Sequence, residues 1–324
     1  MTFKDLQRLV QDSQQPTSNP KLDLLLQKVR GKSFWIWDRS ERKYHDRVHK
    51  GRCCFNHIIG LPRKDGHRKP IFDYEVQVYR ALFEDDYLNS KSHDKLAYPS
   101  KLKHVAVLKA SGLGISELCL RLIAWLCLRN DELSGTQILV FTGPRLELAV
   151  SLINRLKDLF KPHGITFTDK ETACNLNGVR IEVFPSHHAD SARGLPNVSL
   201  IFADECSFFP DHEKDNVMDI MLRNVPKSNP YLIAVSTPNK SGDLMEQIMK
   251  EPIETSPFKK LWLDWTYGAD KIYTRKEIEK VKDTRSFERE FCLKFAGVEG
   301  NVFSQAAINK ATKLTYDHAV IRLM

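Results

Sequence analysis

Two stretches of the chain carry the residue types best suited to chemistry, and together they predict a site for nucleotide phosphates. Residues 105–116 read Val-Ala-Val-Leu-Lys-Ala-Ser-Gly-Leu-Gly-Ile-Ser, an apolar strand, a turn with two glycines and the start of an apolar helix. Backbone N–H groups in such a turn and at a helix N-terminus point at phosphate oxygens. Residues 199–205 form an apolar run that ends in two carboxylates, which can hold Mg²⁺ and activate water beside a phosphate.

The glycine loop departs from the usual phosphate-binding sequence, Gly-x4-Gly-Lys-Ser/Thr, at two positions. Lys109 stands where that sequence has its first glycine, and Ile115 stands where it has its lysine. Lys109, at the end of the strand, could reach across the loop with its four-carbon stem, and the Ser116 hydroxyl could ligate Mg²⁺. A Gly-x-Gly between a strand and a helix is also common in α/β proteins without a nucleotide. The candidate ATP-binding residues of the loop are Lys109, Ala110, Ser111, Gly112, Leu113, Gly114, Ile115 and Ser116.

The acidic strand end supplies a predicted metal ligand and a predicted base. Four apolar residues precede Asp204 and Glu205, as in a buried strand that ends at a phosphate crevice. Asp204 is expected to hold Mg²⁺, directly or through water, and Glu205 to orient and deprotonate the attacking water. A strand can also end in two carboxylates because it reaches solvent, but the loop upstream favours the functional interpretation.

Four further residues complete the predicted site. Ser236 and Thr237 close another apolar strand, where a hydroxyl can sense the γ-phosphate and pass its loss to a moving part. Their segment is also typical of an ordinary strand-to-turn boundary. Arg193, just before the acidic strand, is a candidate catalytic contact to phosphate, or a contact to DNA. Gln77 lies in an aromatic segment suited to stacking on adenine and reading its edge, although a plain amphipathic helix explains that segment equally well.

From residue 104 onward, strand and helix patterns alternate. Strands are predicted at 104–108, 137–142, 179–184, 200–203 and 231–236, and helices at 73–82, 116–129, 146–160, 213–224, 242–250, 274–282 and 286–295. The continuous apolar strands are typical of a sheet covered on both faces. The alternation predicts an α/β fold with a mostly parallel central β-sheet flanked by helices.

Composition indicates a globular protein with an anionic partner. The 324 residues allow one large domain or two modest ones, and the 42% of hydrophobic residues supports a sizeable core. The net charge of +8 suits a partner that carries phosphate. Seven scattered cysteines indicate reduced thiols. We see no signal peptide and no apolar run near the roughly 20 residues that cross a bilayer, so a cytoplasmic location without membrane contact is expected.

A second group of potential ligands lies near the N-terminus. His45, His49, Cys53, Cys54 and His57 fall within one short basic stretch. Tetrahedral zinc could use four of them. Their spacing matches no standard zinc finger, and histidines in basic stretches are usually solvated, so the solvated interpretation is favoured.

Taken together, the motifs resemble the ATPase domain of large terminase subunits, the motors that pump viral DNA into capsids. The resemblance covers roughly residues 70–297, and one branch of that family places its loop lysine at the start of the loop, as Lys-x4-Gly-x-Ser. It rests on the Gln77 region, the loop Lys109 to Ser116, Thr142-Gly-Pro, Ala192-Arg-Gly, Ala203-Asp-Glu, Ser236-Thr-Pro and residues 289–297. It implies a P-loop NTPase-like fold with variant Walker A and Walker B motifs. The implied roles are phosphate binding for Lys109, metal binding for Ser116 and Asp204, base for Glu205, and coupling for Ser236 and Thr237.

The resemblance also implies cofactors and partners. They are ATP, Mg²⁺, double-stranded DNA, a portal protein, a small terminase subunit, and further copies of the chain in an oligomeric ring. Large terminases usually continue into an RNase H-like nuclease domain, but only Glu299 and Asp317 are acidic after Gly297. We therefore expect a separate nuclease polypeptide, or else a truncated or domesticated copy. The expected organisation is an N-terminal arm and basic, aromatic lid region at 1–70, an ATPase domain at 71–297 and a tail at 298–324.

Three functions are compatible with the sequence. The leading hypothesis is an ATP-driven DNA translocase of the terminase type. A helicase-like remodelling ATPase shares the same core, but it normally needs a second motor lobe for which we find no room. An inactive pseudo-ATPase that scaffolds DNA or a portal would explain Ile115, but it leaves Asp204 and Glu205 without a purpose.

Overall fold

The computed structural model describes residues 19–60, 63–64, 67–68, 70–84 and 102–296. The strands are β1 (Ile36–Asp38), β2 (Lys43–His45), β3 (Arg63–Lys64), β4 (His67–Arg68), β5 (His104–Lys109), β6 (Gln137–Thr142), β7 (Ala173–Leu176), β8 (Val179–Pro185), β9 (Val198–Asp204), β10 (Tyr231–Ser236) and β11 (Lys259–Leu263). The α-helices are α1 (Pro20–Val29), α2 (Phe55–Ile59), α3 (Asp73–Phe83), α4 (Ile115–Leu128), α5 (Leu146–Asp158), α6 (Asp211–Ser228), α7 (Leu244–Lys250), α8 (Arg275–Val281) and α9 (Arg285–Glu290).

The central sheet determines where the candidate site lies. Its seven strands follow the order β11-β5-β10-β9-β6-β8-β7, and every neighbouring pair is parallel except β7 with β8. β10 therefore lies between β5, which precedes the glycine loop, and β9, which ends in the acidic pair. Because parallel strands end at the same edge, the residues that follow these three strands meet there. The mostly parallel sheet flanked by helices confirms the predicted α/β, P-loop NTPase-like fold.

Helices cover both faces of the sheet because its central strands are apolar on both sides. All six residues of β5 are buried. Val105 and Val107 belong to one core cluster, and Ala106 and Leu108 belong to the other. The first cluster contains residues of α1, α3, α4 and α5, whereas the second contains residues of α6 and α7. α4 is buried on nearly all sides, which is typical of a helix in the middle of a large domain.

The predicted strands are all present, with ends that shift by at most two residues. Two strands of the central sheet were missed. β11 begins with Lys259 and Lys260, which read as polar, yet both are buried and donate to the backbone carbonyls of Ala81 and Glu251. β7 was missed although the two-residue turn at 177–178, which joins it to β8, is Asn-Gly with positive φ at both positions. That dipeptide is a strong hairpin signal.

The predicted helices are also present, and two of them have an end that differs from the prediction by more than two residues. α6 is longer at both ends than the predicted 213–224. The helix predicted at 286–295 ends at Glu290, because residues 291 and 292 form a turn and Leu293 takes a positive φ. The three residues that follow extend past Asn239, and the backbone N–H of Ala296 donates to the Asn239 carbonyl.

The N-terminal region packs on the same core as α4. Leu25 and Val29 of α1, together with Phe34 and Phe55, are buried in the first core cluster. The domain boundary expected at 70–71 stays a prediction. Residues 1–18 of the region expected at 1–70, and the tail expected at 298–324, lie outside the described residues. Within the described ranges, no helix has both the length and the apolar character that crossing a bilayer requires.

Candidate nucleotide-binding site

The glycine loop has the backbone that a tight phosphate turn requires. Lys109 is the last residue of β5, and α4 begins at Ile115. Gly112 and Gly114 have φ values of 80° and 77°, in the left-handed region that side-chain-bearing residues rarely adopt. Ile115 is fully buried, so its side chain belongs to the core and not to the phosphate surface. No side chain among the described residues caps the α4 N-terminus, which leaves its first N–H groups available to an anion.

Two tyrosines hold the loop from outside. The Tyr273 hydroxyl donates to the backbone carbonyl of Ser111, and the Tyr74 hydroxyl donates to that of Leu113 at 2.7 Å. Tyr74 comes from α3, whereas Tyr273 precedes α8. Sequence reasoning missed both residues because nothing in their local pattern shows that they contact a loop so distant along the chain. These two hydrogen bonds fix the carbonyls of Ser111 and Leu113, while the Ala110 and Ser111 N–H groups donate to the carbonyls of Leu263 and Glu290 at 2.7 and 2.8 Å.

The displaced lysine is directed at the acidic pair. Lys109 Nζ lies 2.6 Å from Glu205 Oε1, and the lysine side chain is almost fully buried. The Glu205 backbone has a φ of 52°, a left-handed conformation that is uncommon for glutamate. β9 thus ends in a sharp turn that directs the Glu205 carboxylate back over the sheet edge toward Lys109.

The predicted metal ligands also meet. Ser116 Oγ donates to Asp204 Oδ1 at 2.6 Å. Burial, and then the neighbouring negative charge of Glu205, raise the pKa of Asp204 to about 6, while the Ser116 hydrogen bond acts in the opposite direction. A hydroxyl and a carboxylate are the hard oxygen ligands that Mg²⁺ prefers, so the donor set fits that ion.

The end of β10 contacts the same glutamate. Glu205 Oε2 accepts from the Thr237 backbone N–H at 3.1 Å, from Thr237 Oγ1 at 3.2 Å and from Ser236 Oγ at 3.3 Å. Ser236 Oγ also accepts from the Ser207 backbone N–H at 3.0 Å. The two hydroxyl residues therefore connect Glu205 to the turn that follows β9.

A cleft of about 380 Å³ opens beside the acidic pair. It is lined by Asp204 and Glu205, by the end of β6 at Thr142, and by Arg145 and Arg155. Arg155 donates to Glu117 in the first turn of α4 at 3.1 Å. The cleft thus places two arginines next to two carboxylates, although apolar side chains such as Leu148 and Phe208 also line it.

Two predicted residues are not in contact with the central group in this structure. Gln77 lies in the middle of α3, which reaches the loop through Tyr74. Arg193 donates to Asp190 at 2.8 Å and to Asn216 in α6. The roles of Gln77 and Arg193 stay predictions.

The comparison with known proteins supports the fold through solved structures. No protein-family profile and no curated protein sequence matches the chain. The sheet and the loop define a P-loop NTPase-like α/β protein. Among solved structures, the chain is similar to the large terminase of a thermophilic bacteriophage, with 12% identity and a TM-score of 0.51 over 74% of this chain and 57% of that one.

The HK97 bacteriophage large terminase gives the same result, with 17% identity and a TM-score of 0.50 over 71% of this chain and 51% of that one. The large terminase of the thermophilic phage in complex with ADP matches at 11% identity and a TM-score of 0.50, over 70% of this chain and 54% of that one. This chain therefore has a terminase-like ATPase-domain fold. The matches span between about half and three fifths of the length of those terminases.

Proposed function

We propose that this chain is an ATP-hydrolysing motor of the large-terminase type that drives translocation of double-stranded DNA into a viral capsid. The observation that carries the proposal is the meeting of two pairs at one sheet edge, Lys109 with Glu205 and Ser116 with Asp204. They come from distant parts of the sequence, and they surround an uncapped helix N-terminus. This is the set of groups that phosphoryl transfer needs.

The Lys109–Glu205 pair suggests how the site responds to nucleotide. The phosphates compete with Glu205 for the Lys109 ammonium, so nucleotide binding separates the pair. Glu205 then keeps the Thr237 N–H and the hydroxyls of Ser236 and Thr237, which orient its carboxylate toward the attacking water. Ser116 and Asp204 would hold Mg²⁺, which neutralises charge on the transferred phosphoryl group.

Coupling to DNA would start at the same glutamate. Loss of the γ-phosphate lets Lys109 return to Glu205, which shifts the hydrogen bonds that Glu205 shares with the end of β10. The +8 net charge supports a phosphate-bearing partner. The portal, the small terminase subunit, a ring of copies and a separate nuclease belong to the same proposal.

Steady-state ATP hydrolysis with and without double-stranded DNA tests the proposal. Lys109→Ala and Glu205→Gln should each reduce turnover by roughly 10²-fold or more. The matched controls Lys161→Ala and Glu132→Gln remove similar charges from exposed positions and should behave like the wild type. If both site variants equal the wild type in an active preparation, the assigned site is wrong.

The same experiment decides between the motor and a pseudo-ATPase. Ile115 in place of the usual loop lysine is the observation that favours an inactive site. Binding of an ATP analogue without turnover, in both the presence and absence of DNA, would support the inactive scaffold. Turnover that depends on Lys109 would show that the displaced lysine performs the missing function.

A further inference from the structure

The N-terminal region holds a second polar cluster that the ATPase site does not use. It consists of Asp38, Glu41, His45 and His49, and we call it the histidine–carboxylate cluster. The imidazole nitrogens of the two histidines and a Glu41 carboxylate oxygen lie within 4.8 Å of one another. Cys53, Cys54 and His57 are not part of this group. The ligand set that the structure brings together therefore differs from the one that sequence spacing suggested.

The distances in the cluster are those between neighbouring ligands of one ion. Glu41 Oε2 lies 3.1 Å from His45 Nε2, and Glu41 Oε1 lies 3.3 Å from His49 Nε2. Asp38 Oδ2 lies 2.7 Å from His49 Nε2. Zinc binds nitrogen and carboxylate oxygen at about 2.0–2.2 Å in a tetrahedron, so adjacent ligand atoms are separated by about 3.3 Å. Because the two rings stack nearly parallel and each nitrogen lone pair lies in its ring plane, the rings would have to turn toward one another for both Nε2 atoms to bind one ion.

The two imidazole rings of the cluster lie face to face. They stack at a centroid distance of 3.7 Å with an angle of 7° between their planes. Two protonated rings at this distance would repel. His45 Nε2 is buried and makes no hydrogen bond in the described part of the chain, although Glu41 is close to it. A buried imidazole nitrogen that lies 3.1 Å from a carboxylate and beside a second imidazole has the surroundings of a metal ligand.

The backbone positions the four side chains firmly. Asp38 ends β1, and its Oδ1 accepts from the Ser40 hydroxyl at 2.6 Å and from the Ser40 and Glu41 backbone N–H groups at 2.8 and 3.2 Å. His45 ends β2, which pairs with β1. His49 opens a two-residue turn and exchanges backbone hydrogen bonds with Arg52 at 2.9 and 3.0 Å. The ligands thus come from a hairpin and from a second turn beside it.

A lysine now occupies the position nearest to the carboxylates. Lys50 Nζ lies 2.6 Å from Asp38 Oδ2 and 3.8 Å from Glu41 Oε1. The cluster therefore already attracts one positive charge. Because the Lys50 side chain is more than half exposed, its ammonium can move into water at little cost when a stronger cation arrives.

We propose that the histidine–carboxylate cluster is a binding site for a divalent transition metal of the zinc class. His45 and His49 would bind through Nε2, Glu41 would supply a carboxylate oxygen, and Asp38 Oδ2 would complete the set once Lys50 has left. Two imidazoles with carboxylates and no thiolate suit Zn²⁺. The ion would tie the β1–β2 hairpin to the turn at 49–52.

The test measures zinc bound to the full chain, purified without a histidine tag. After incubation with ZnCl₂ and dialysis against metal-free buffer, elemental analysis should find about one equivalent of zinc per chain. His45→Ala and His49→Ala should weaken binding by about 10- to 100-fold or more. His57→Ala and Cys53→Ser are the matched controls, and both should retain the metal.

Two further measurements do not depend on whether the histidine variants fold. Lys50→Ala removes the competing ammonium, so it should bind Zn²⁺ several-fold more tightly than the wild type. Co²⁺ in place of Zn²⁺ should give the visible spectrum of a tetrahedral site without a thiolate charge-transfer band. Less than about 0.2 equivalents of zinc on the wild type would overturn the proposal. So would loss of binding in Cys53→Ser, or a Lys50→Ala protein that binds no more tightly.

Discussion

The sheet edge with Lys109, Ser116, Asp204 and Glu205, which we call the phosphate edge because we propose that it binds nucleotide phosphates, contains the same contact as the histidine–carboxylate cluster. The two contacts lie in different surroundings. In each, a lysine Nζ lies 2.6 Å from a carboxylate oxygen, Glu205 Oε1 for Lys109 and Asp38 Oδ2 for Lys50. The Lys109 side chain is 7% exposed and that of Glu205 is 34% exposed, whereas the Lys50 side chain is 55% exposed and that of Asp38 is 5% exposed. The distance alone therefore says little about the energy, because burial decides what each charge loses when its partner leaves.

The pKa values of the aspartates in the two regions are shifted in opposite directions. Burial, and then the charge of Glu205, raise the pKa of Asp204 to about 6. The hydrogen bond from Lys50, followed by those from Ser40 and His49, holds the pKa of Asp38 well below its usual range. At the phosphate edge, burial and the charge of Glu205 disfavour the ionised form of Asp204. A bound cation would stabilise that ionised form.

The largest expected effect is on chemistry at the phosphate edge. Glu205→Gln keeps the size of the side chain but cannot accept a proton, so kcat should fall roughly 10²- to 10⁴-fold. The affinity for an ATP analogue should stay within a few-fold of wild type, because Lys109 and the loop are unchanged. Turnover and equilibrium binding, measured on one preparation, separate the two effects. An equal loss of both would place Glu205 in binding and not in catalysis.

The next effect compares the two lysines directly. Lys109→Met should lower the free energy of unfolding by about 1–3 kcal/mol, because it leaves the Glu205 carboxylate without its counter-ion. The effect stays below the about 3–5 kcal/mol of fully buried pairs, since the Glu205 side chain is 34% exposed. Lys50→Met should have a smaller effect, because the Asp38 carboxylate, although its side chain is only 5% exposed, keeps its hydrogen bonds with Ser40, Glu41 and His49. Urea denaturation of both variants in metal-free buffer measures the difference. Equal losses of stability in the two variants would mean that the burial of the lysine does not determine how much each ion pair contributes.

A pH effect follows from Asp204. Its pKa is raised on folding, so the stability that this group adds is present below its ordinary value of 3.8 and is lost as pH rises through about 6. Metal binding needs the ionised form, so kcat/KM for Mg-ATP should fall about tenfold per pH unit below 6. Initial rates from pH 8 to 5 would show it, with unfolding followed over the same range. A flat profile down to pH 5 contradicts the assignment of Asp204 as a metal ligand.

The smallest expected effect concerns the tyrosines that hold the loop. Tyr273→Phe removes the hydrogen bond to the Ser111 carbonyl, worth about 0.5–1.5 kcal/mol, so the affinity for ATP should weaken about 2- to 10-fold. Tyr267→Phe, in the preceding 3₁₀ turn, is the matched control. Calorimetric titration with a non-hydrolysable ATP analogue measures both. An unchanged affinity in Tyr273→Phe would mean that the loop holds its shape without this contact.

The fold was largely readable from periodicity. Continuous apolar runs such as 231–236 predicted β10 at its observed ends, because a strand covered on both faces excludes polar residues. β11 was not predicted, for the opposite reason. Its two lysines read as solvent-exposed, and only the tertiary fold supplies the carbonyl oxygens of Ala81 and Glu251 that allow their burial.

The residue types of the candidate site were also present in the sequence, in the Lys109 loop and in the Asp204–Glu205 pair. The contacts between these residues could not be read from the sequence. The order of strands, with β10 between β5 and β9, brings Lys109 to Glu205 and adds Thr237 to that contact. The left-handed turn at Glu205 then directs its carboxylate. Local pattern contains no information about which strands become neighbours.

The sequence by itself determined the class of fold, the phosphate loop with its displaced lysine, and the acidic strand end, because these depend on residue type and short spacing. Only the tertiary structure decided which groups meet. It paired Lys109 with Glu205, held the loop with Tyr74 and Tyr273, and placed the Glu41 carboxylate beside His45 and His49. The physical reason is that contacts between residues distant along the chain depend on strand order and packing, which no short window of sequence contains.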